Sequence, residues 1–530
     1  MAKIKKMKDD QKNFWLKNRI NLASPQLEAS REMTKPMEIP IEIKNILEQF
    51  NKTPQKFEAY LVGGCVRDVL LKKKPKDWDI TTNATPQEIQ KLFPNSFYAN
   101  DFGTVSVITN SDDETLQVVE ITPFRLEGKY SDKRHPDEIK FATILEDDLA
   151  RRDFTINAMA IQVKDGKLKI IDLFNGQKDL KNKLIRAVGD PEERFNEDAL
   201  RLMRAVRFAA ELDFQIEEKT KKAIEKLHSN LECISKERVR DELIKMFHCE
   251  NAARGIEMLH ELKLMPYVIP ELEEGVNVVG VTKKLKEHIK YESLTTFEHL
   301  VKTLDYAAKN NFNLETRLAA LLHDVGKPRT KKGEGLEASF QGHERVSAQM
   351  TKEILTRLRF PKKTIDKVVK LVRWHFFFYD INKVTPAGVR RLIRNVGPEN
   401  IDDLLKLREA DRSGSGLPKI SSYRLRHLRY MIEKVKKDPI EPKMLKIKGD
   451  DVMKILNIPP SPKVGWVLNI LLEEVLDDPA KNNREYLEKR LKELGKLADE
   501  DLKKMAEEAK SKKEEIEEEI DEEMRKKYNV

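Results

Sequence analysis

The sequence has little cysteine: three residues in 530, Cys65, Cys233 and Cys249, far apart and in no metal-ligand or redox spacing. They supply neither a disulfide framework nor a zinc site, and are expected as reduced thiols buried in the fold. Long apolar runs are also missing. The longest stretch free of Asp, Glu, Lys and Arg is about ten residues, roughly half of what a helix needs to cross a bilayer, so no membrane partner is expected. The opening MAKIKKMKDDQKNFWLKN is basic, but charges continue where the apolar part of a secretory signal would come, and a cytoplasmic location is expected. A strong charge of one sign is lacking as well. Lys and Arg number 99 against 90 acidic residues, for a net +9, which suits a polyanionic partner and many ordinary soluble proteins alike.

With 39% hydrophobic and 36% charged residues over 530 positions, the chain is too long for one core and too apolar to be disordered throughout, so three or more domains are expected. Residues 1–37 are a polar, lysine-rich leader. Residues 38–176 alternate short β-branched and aromatic runs, FEAYLV, TVSVIT, LQVVEIT, IKFAT and KLKIIDLF, with helix-like stretches such as TPQEIQKLF. That pattern predicts an α+β head with a mainly antiparallel sheet. Beyond residue 176 strand signals almost disappear, and the rest is expected to be helical: a neck over 177–262, a proline-bounded connection over 263–292, a block over 293–412, a body over 413–495 and a charged helical extension over 496–530, solvated or, as the alternative, a coiled-coil or docking segment.

The segment from Tyr60 to Leu70 sets Gly63 and Gly64 between an apolar run and an apolar helix, with Asp77 and Asp79 about ten residues on. Glycines at a strand-to-helix turn let backbone N–H groups approach a phosphate. Carboxylates two apart on a strand share a face and can hold hard divalent cations, which suits two-metal phosphoryl transfer; an aspartate pair at a turn facing water is the plain alternative. Arg151, Arg152 and Asp153 set two fixed cations beside an acceptor, a combination able to grip a triphosphate and a ribose hydroxyl. In EDALRLMRAVRF, Glu197, Asp198, Arg201 and Arg204 are expected on one face of a helix, with Ala199, Leu202, Met203 and Val206 on the other. Glu197 and Arg201 alone would make an ordinary i,i+4 pair. Glu120, on an expected strand, is a third acidic candidate.

In family order, LVGGCVRDVLLKKKPKDWDITT, RRDFTINAMA, DLFNGQKDL, EDALRLMRAVRFAAELDF and ISKERVRDEL resemble the five motifs of the class II tRNA nucleotidyltransferase and poly(A) polymerase family, within the polymerase-β-like nucleotidyltransferases. The resemblance implies Mg²⁺ at Asp77 and Asp79, with Glu120 completing the catalytic set. It implies nucleotide contacts from Gly63, Gly64, Arg67, Arg151, Arg152, Asp153 and Asn157. Glu197, Asp198 and Arg201 would act as a protein template selecting CTP and ATP, with Arg204 and Arg207 on phosphate. The substrate implied is tRNA receiving CCA, or its terminal A. The polar segment TPFRLEGKYSDKRHPDEIKF resembles the loop used to switch from C to A addition. Poly(A) polymerase is the rival within the family, but its G-R-R-F-type signature is replaced by NSFYANDFGTVSV. A homodimer is one expected assembly.

A second constellation lies between 299 and 411: His299, His323, Asp324, His343, His375 and Asp411, with Asp380 as the alternative closing acid. Mixed imidazole and carboxylate ligands hold divalent transition ions and lower the pKa of a bound water. A structural role for each histidine on its helix is the plain alternative. The adjacent His323-Asp324 pair, with Gly326 and Lys327 after it, resembles the HD phosphohydrolases. The resemblance implies a divalent transition metal here and a second, phosphatase or 2′,3′-cyclic phosphodiesterase activity; an HD phosphohydrolase with a degenerate transferase head is the alternative whole-chain reading. Basic helices such as YRLRHLRY are expected to face tRNA phosphates, with recognition by shape and 2′-hydroxyl contacts.

Overall fold

The computed structural model describes residues 39–99, 103–127, 139–164, 167–282, 293–333, 338–376, 384–415 and 423–508. The leader, Asp380, the middle of the segment after Pro123 and the last part of the charged extension lie outside the described residues. Contacts divide the chain into two compact units, one of residues up to Ala205 with Phe214–Leu227, the other of Val206–Asp213 with the residues from His228 onward.

The first unit is built on strands β1 (Ala59–Val62), β2 (Asp79–Thr82), β3 (Ser96–Tyr98), β4 (Val105–Ile108), β5 (Val118–Pro123), β6 (Arg125–Glu127), β7 (Ile139–Phe141), β8 (Met159–Lys164) and β9 (Lys167–Asp172). Seven of them form one sheet in the order β3-β4-β5-β2-β1-β8-β9. All neighbours are antiparallel except β2 and β5, which run parallel with Asp79 in register with Glu120. The sheet is thus mainly antiparallel, as its β-branched runs predict. Tyr60 and Val62 of β1 and Ala160 of β8 pack one sheet face against Phe124, Ala142, Leu145 and Leu149. The expected loop after Pro123 is partly ordered at both ends, because β6 and β7 pair as a two-stranded ribbon.

Among the described residues the helical expectation beyond residue 176 holds apart from two short strand pairings and isolated bridges. Leu184–Ile185 pairs in parallel with Gln215–Ile216, and Val279–Thr282 pairs with Ser293–Thr295. Pairings this short leave no periodicity in a sequence. In the second unit, helices Thr296–Lys309, Leu314–Leu322, His343–Arg357, Lys362–Trp374 and Ile401–Gly414 form one block, and helices Tyr423–Val435, Gly449–Leu456, Pro462–Asp477 and Arg484–Leu494 follow. A capping box of Thr295 with Glu298 starts the first of them. The beginning of the charged extension is not wholly solvated, since Leu502 and Ala506 are buried. Of the cysteines only Cys65 is buried; Cys233 is exposed and Cys249 half-buried, so the expectation holds for one of three. No helix among the described residues is long and apolar enough to cross a membrane.

Candidate active and metal sites

Strand β1 ends at Val62 and the chain turns at Gly63 into the helix Gly64–Leu70. Gly63 has φ +78°, a conformation that side chains resist. A Cβ there would stand 3.2 Å from Arg152 Nη1 and 3.3 Å from Asp79 Oδ2. The turn, the acid and the arginine therefore meet at one point. Gly64 is less constrained, because its Cβ would make only an ordinary 3.7 Å contact with Arg67.

Asp79 is the first residue of β2, whereas Asp77 lies outside the strand and is exposed. The two do not share a strand face, so the expected geometry is corrected: Asp77 belongs to the turn leading into β2. Glu120 joins from the neighbouring strand, level with Asp79. Burial first, then the Asp77 and Glu120 charges, push the Asp79 carboxyl up to about 7, while Arg152 pulls it down. Crowded carboxylates of this kind are what a hard divalent cation relieves, so the donor set fits Mg²⁺.

Around this point the arginines are held by acids. Arg151 and Arg152 are both paired to the buried Asp148, at 2.6 and 3.1 Å. Arg152 Nε is buried and makes no hydrogen bond. Asp153 accepts from Arg204 Nε and Nη2 at 2.8 and 2.5 Å, and Asn157 bridges from Asp153 to the buried Arg67, whose Nη1 donates to Asn157 Oδ1 at 3.0 Å. Arg67 also pairs with Asp68. Asp148 was missed by sequence reasoning, although its spacing of three and four before the two arginines in DDLARRD is an i,i+3 and i,i+4 signal.

The expected helix over 197–204 is broken. One helix ends at Glu197, Asp198 is extended at φ −134°, and the next helix runs Leu200–Leu212. Asp198 Oδ1 accepts from Leu200 N at 3.1 Å, so a short acid stops one helix and caps the next. Arg201 still reaches Glu197, at 2.7 Å, and donates to the Arg194 and Arg151 carbonyls at 3.1 and 3.0 Å. Arg207 departs from its expected phosphate role: its guanidinium is buried against Glu242 and Glu211, both at 2.6 Å, and lies over the Phe208 ring. Two carboxylates already balance its charge.

The second unit holds the histidines. His299, His323 and Asp324 form one buried group able to hold a metal, and Asp324, His343 and His375 form another. Asp324 Oδ2 lies 3.3 Å from both His299 and His323 Nε2, and Oδ1 lies 3.2 and 3.4 Å from His343 and His375 Nε2. Asp411 Oδ1 closes the first group, 3.4 Å from His299 and 3.8 Å from His323. Three Nδ1 atoms face the carbonyl three residues earlier: His323 that of Ala320, His343 that of Phe340 and His375 that of Val372. A proton on each Nδ1 leaves a lone pair on Nε2 aimed at the carboxylates, an arrangement a cation stabilises. Asp324 Oδ1 is buried and forms no hydrogen bond despite its close nitrogens, and the ligand atoms of each group lie within 4.8 Å of one another, close enough to share one ion. Against their burial, Lys327 and His323 hold Asp324, and His299, His323 and Arg408 hold Asp411, well below the usual carboxylate range. Burial is likewise overridden at His323, which Asp324 and Asp411 raise to about 9, whereas at His375 burial wins and lowers it to about 4. The pocket thus favours positive charge beside His323, whether a proton or a divalent ion, and the donors fit a transition metal. Two glycines permit this packing. A Cβ on Gly326 would come within 2.6 Å of Ser347 N, and one on Gly414 would overlap Thr303 Oγ1, on the helix that carries His299.

Residues 59–186 match the poly A polymerase head domain, residues 213–275 the family described as "Probable RNA and SrmB- binding site of polymerase A", and residues 296–413 the HD domain. Over 191 residues the chain is 52% identical to a CCA-adding enzyme of Lactobacillus helveticus, covering 36% of this chain and 46% of that protein. Over 244 residues it is 47% identical to a CCA-adding enzyme of Enterococcus faecalis, covering 45% and 58%. It spans about half the length of the curated relatives it matches. The crystal structure of Bacillus stearothermophilus CCA-adding enzyme in complex with CTP aligns with a TM-score of 0.63 at 26% identity, over 86% of this chain and 98% of that one. The chain therefore carries a poly A polymerase head domain followed by an HD domain, and shares its fold with a CCA-adding enzyme.

Proposed function

We propose that this chain is a cytoplasmic, template-independent tRNA nucleotidyltransferase that adds CCA, or its terminal A, to tRNA 3′ ends from CTP and ATP with release of pyrophosphate. The observation that carries this reading is the meeting of Asp79, Arg152 and the left-handed Gly63 turn after β1, with Glu120 in register beside Asp79. Identity of 52% to a CCA-adding enzyme over 191 residues supports it.

In this reading Asp77, Asp79 and Glu120 would hold Mg²⁺, which when bound would supply neutralising charge beside the α-phosphate. Arg151 and Arg152 hold the triphosphate, and Gly63 keeps the turn free of a side chain so that the phosphates come close to backbone N–H groups. Asp153, fixed by Arg204, accepts from the ribose. Asp198 and Arg201 offer an acceptor and donors to the base edge, with Glu197 orienting the arginine. The head is taken as 38–176, the neck as 177–262, the HD domain as 293–412, and 413–495 as a body holding the tRNA arms.

The HD domain is a second catalytic centre in the same reading. His299, His323, Asp324 and Asp411, with His343 and His375 on the other oxygen of Asp324, would hold a divalent transition metal, which when bound would supply Lewis acidity toward a phosphomonoester or cyclic phosphate.

The test is incubation of tRNA ending before CCA, tRNA ending in CC, and an unrelated oligo(A), each with CTP alone, with ATP alone and with both together. Incorporation of C then A on the first substrate supports complete synthesis, and A on the second alone supports a dedicated A-adding enzyme. Long A tails on every RNA would replace this reading with poly(A) polymerase.

A further inference from the structure

Between the carboxylates and the arginines of the head stands a group that none of the roles above uses. Asp148, on the helix Leu145–Ala150, has a fully buried side chain, and both of its oxygens are occupied. Oδ1 accepts from Arg151 Nε and Nη2 at 3.0 and 2.6 Å; Oδ2 accepts from Arg152 Nη2 at 3.1 Å and, more weakly, from Thr81 Oγ1 at 3.4 Å. Thr81 lies two residues after Asp79 on β2, so both point to the same sheet face. The turn after the helix carries a further tie, the Arg151 carbonyl accepting from Arg201 Nη2 at 3.0 Å.

Two adjacent guanidinium groups repel, and Arg152 has a strong competing attraction. Its charge already acts on Asp79, and its Nη1 stands 3.2 Å from the place of a Cβ on Gly63. Without an anion at its base, Arg152 would gain most by closing onto Asp79 and Glu120, occupying with its own charge the carboxylates that a cation must reach. Asp148 is placed to prevent this. It takes one end of Arg152, holds Arg151 alongside, and leaves the buried Arg152 Nε unbonded.

Resting on the reading of the head as a nucleotidyltransferase, we infer that Asp148 is a positioning residue that keeps the Arg151–Arg152 pair turned toward the incoming triphosphate and off the metal-holding carboxylates. It touches neither nucleotide nor metal and acts through the two arginines. Loss of its charge therefore weakens two things together, triphosphate binding and the response to Mg²⁺, and spares the binding of RNA.

The experiment is equilibrium binding of ATP and CTP to the full chain at several Mg²⁺ concentrations, beside KM and kcat for nucleotide and for tRNA, in the unmodified protein, Asp148→Asn and Asp148→Glu. Asp148→Asn is expected to weaken nucleotide binding tenfold or more and to raise the half-saturating Mg²⁺ concentration several-fold, with KM for tRNA unchanged. Asp148→Glu keeps the charge, covers the case in which the asparagine variant does not fold, and is expected to recover part of both losses. Nucleotide binding and Mg²⁺ response unchanged in a folded Asp148→Asn protein would overturn the inference, as would equal losses toward nucleotide and tRNA that track a lowered melting temperature. If the unmodified protein binds triphosphates in an Asp148-dependent way yet extends no RNA, the inference stands and the proposed function falls. If it binds none, both fall.

Discussion

Arg204 meets Asp153 side-on, through Nε and Nη2 at 2.8 and 2.5 Å, and this contact decides how the head responds to acid. Burial works to raise the Asp153 carboxyl; Arg204 overrides it and holds the group below its usual value. A folded-state pKa below the unfolded one means that the pair stabilises in full above the unfolded value, near pH 4, and loses that contribution as pH falls through the folded value. Arg204→Gln is expected to cost about 2–3 kcal/mol at pH 7, less than a fully buried pair because the arginine is partly exposed. The gap between variant and parent should narrow by pH 3, and urea denaturation at the two pH values measures it. At this scale the sequence was uneven. Asp77, Asp79, the arginines and the histidines stand out as residue types in a pattern. What each one touches is set by partners far along the chain. Arg207 looked like Arg204 in sequence, but Glu242, 35 residues away, takes its charge.

At the scale of elements, the break between Glu197 and Leu200 gives Asp198 two duties, a cap for the helix Leu200–Leu212 and a proposed contact with the base. The duties are separable. Asparagine caps a helix about as well as aspartate, whereas alanine does not. Asp198→Ala is therefore expected to lose about 1 kcal/mol of stability together with the discrimination between CTP and ATP, and Asp198→Asn to keep the stability and lose only the discrimination. Melting curves and single-nucleotide incorporation ratios distinguish them; equal discrimination in all three proteins would remove Asp198 from the template. Strands β1, β4, β5, β7 and β9 fall in the β-branched runs visible in the sequence, because local alternation reports them. The parallel pairing of β2 with β5, which sets Glu120 level with Asp79, follows from the sheet order and has no local signal. The helix break was hidden for another reason: an i,i+4 Glu–Arg pair still forms across it, so the charge pattern looks the same as in one continuous helix.

At the scale of the whole molecule, each candidate centre draws its groups from one compact unit: Asp77, Asp79, Glu120 and Arg152 from the first, the four histidines with Asp324 and Asp411 from the second. The chemistries differ in kind. The head offers only oxygen donors, a set that suits a hard ion such as Mg²⁺; the HD pocket offers imidazole nitrogens, three of the four with the tautomer set by a backbone carbonyl, a set that suits borderline transition ions and has little to offer Mg²⁺. Separate ligands in separate units imply separable losses. His323→Ala removes a nitrogen from the first metal group and leaves Asp324 short of a partner in a buried pocket, so the protein is expected to retain little transition metal by elemental analysis after dialysis and to lose phosphoester hydrolysis, while nucleotide incorporation on tRNA stays within about twofold of the parent, a difference worth only ~0.4 kcal/mol. Asp79→Asn is the mirror case. It is expected to abolish incorporation at any Mg²⁺ concentration and to leave bound transition metal and hydrolysis at the parent level. Incorporation that falls in step with metal content across both variants would mean that one centre depends on the other, and the division of labour drawn from their ligands would be wrong.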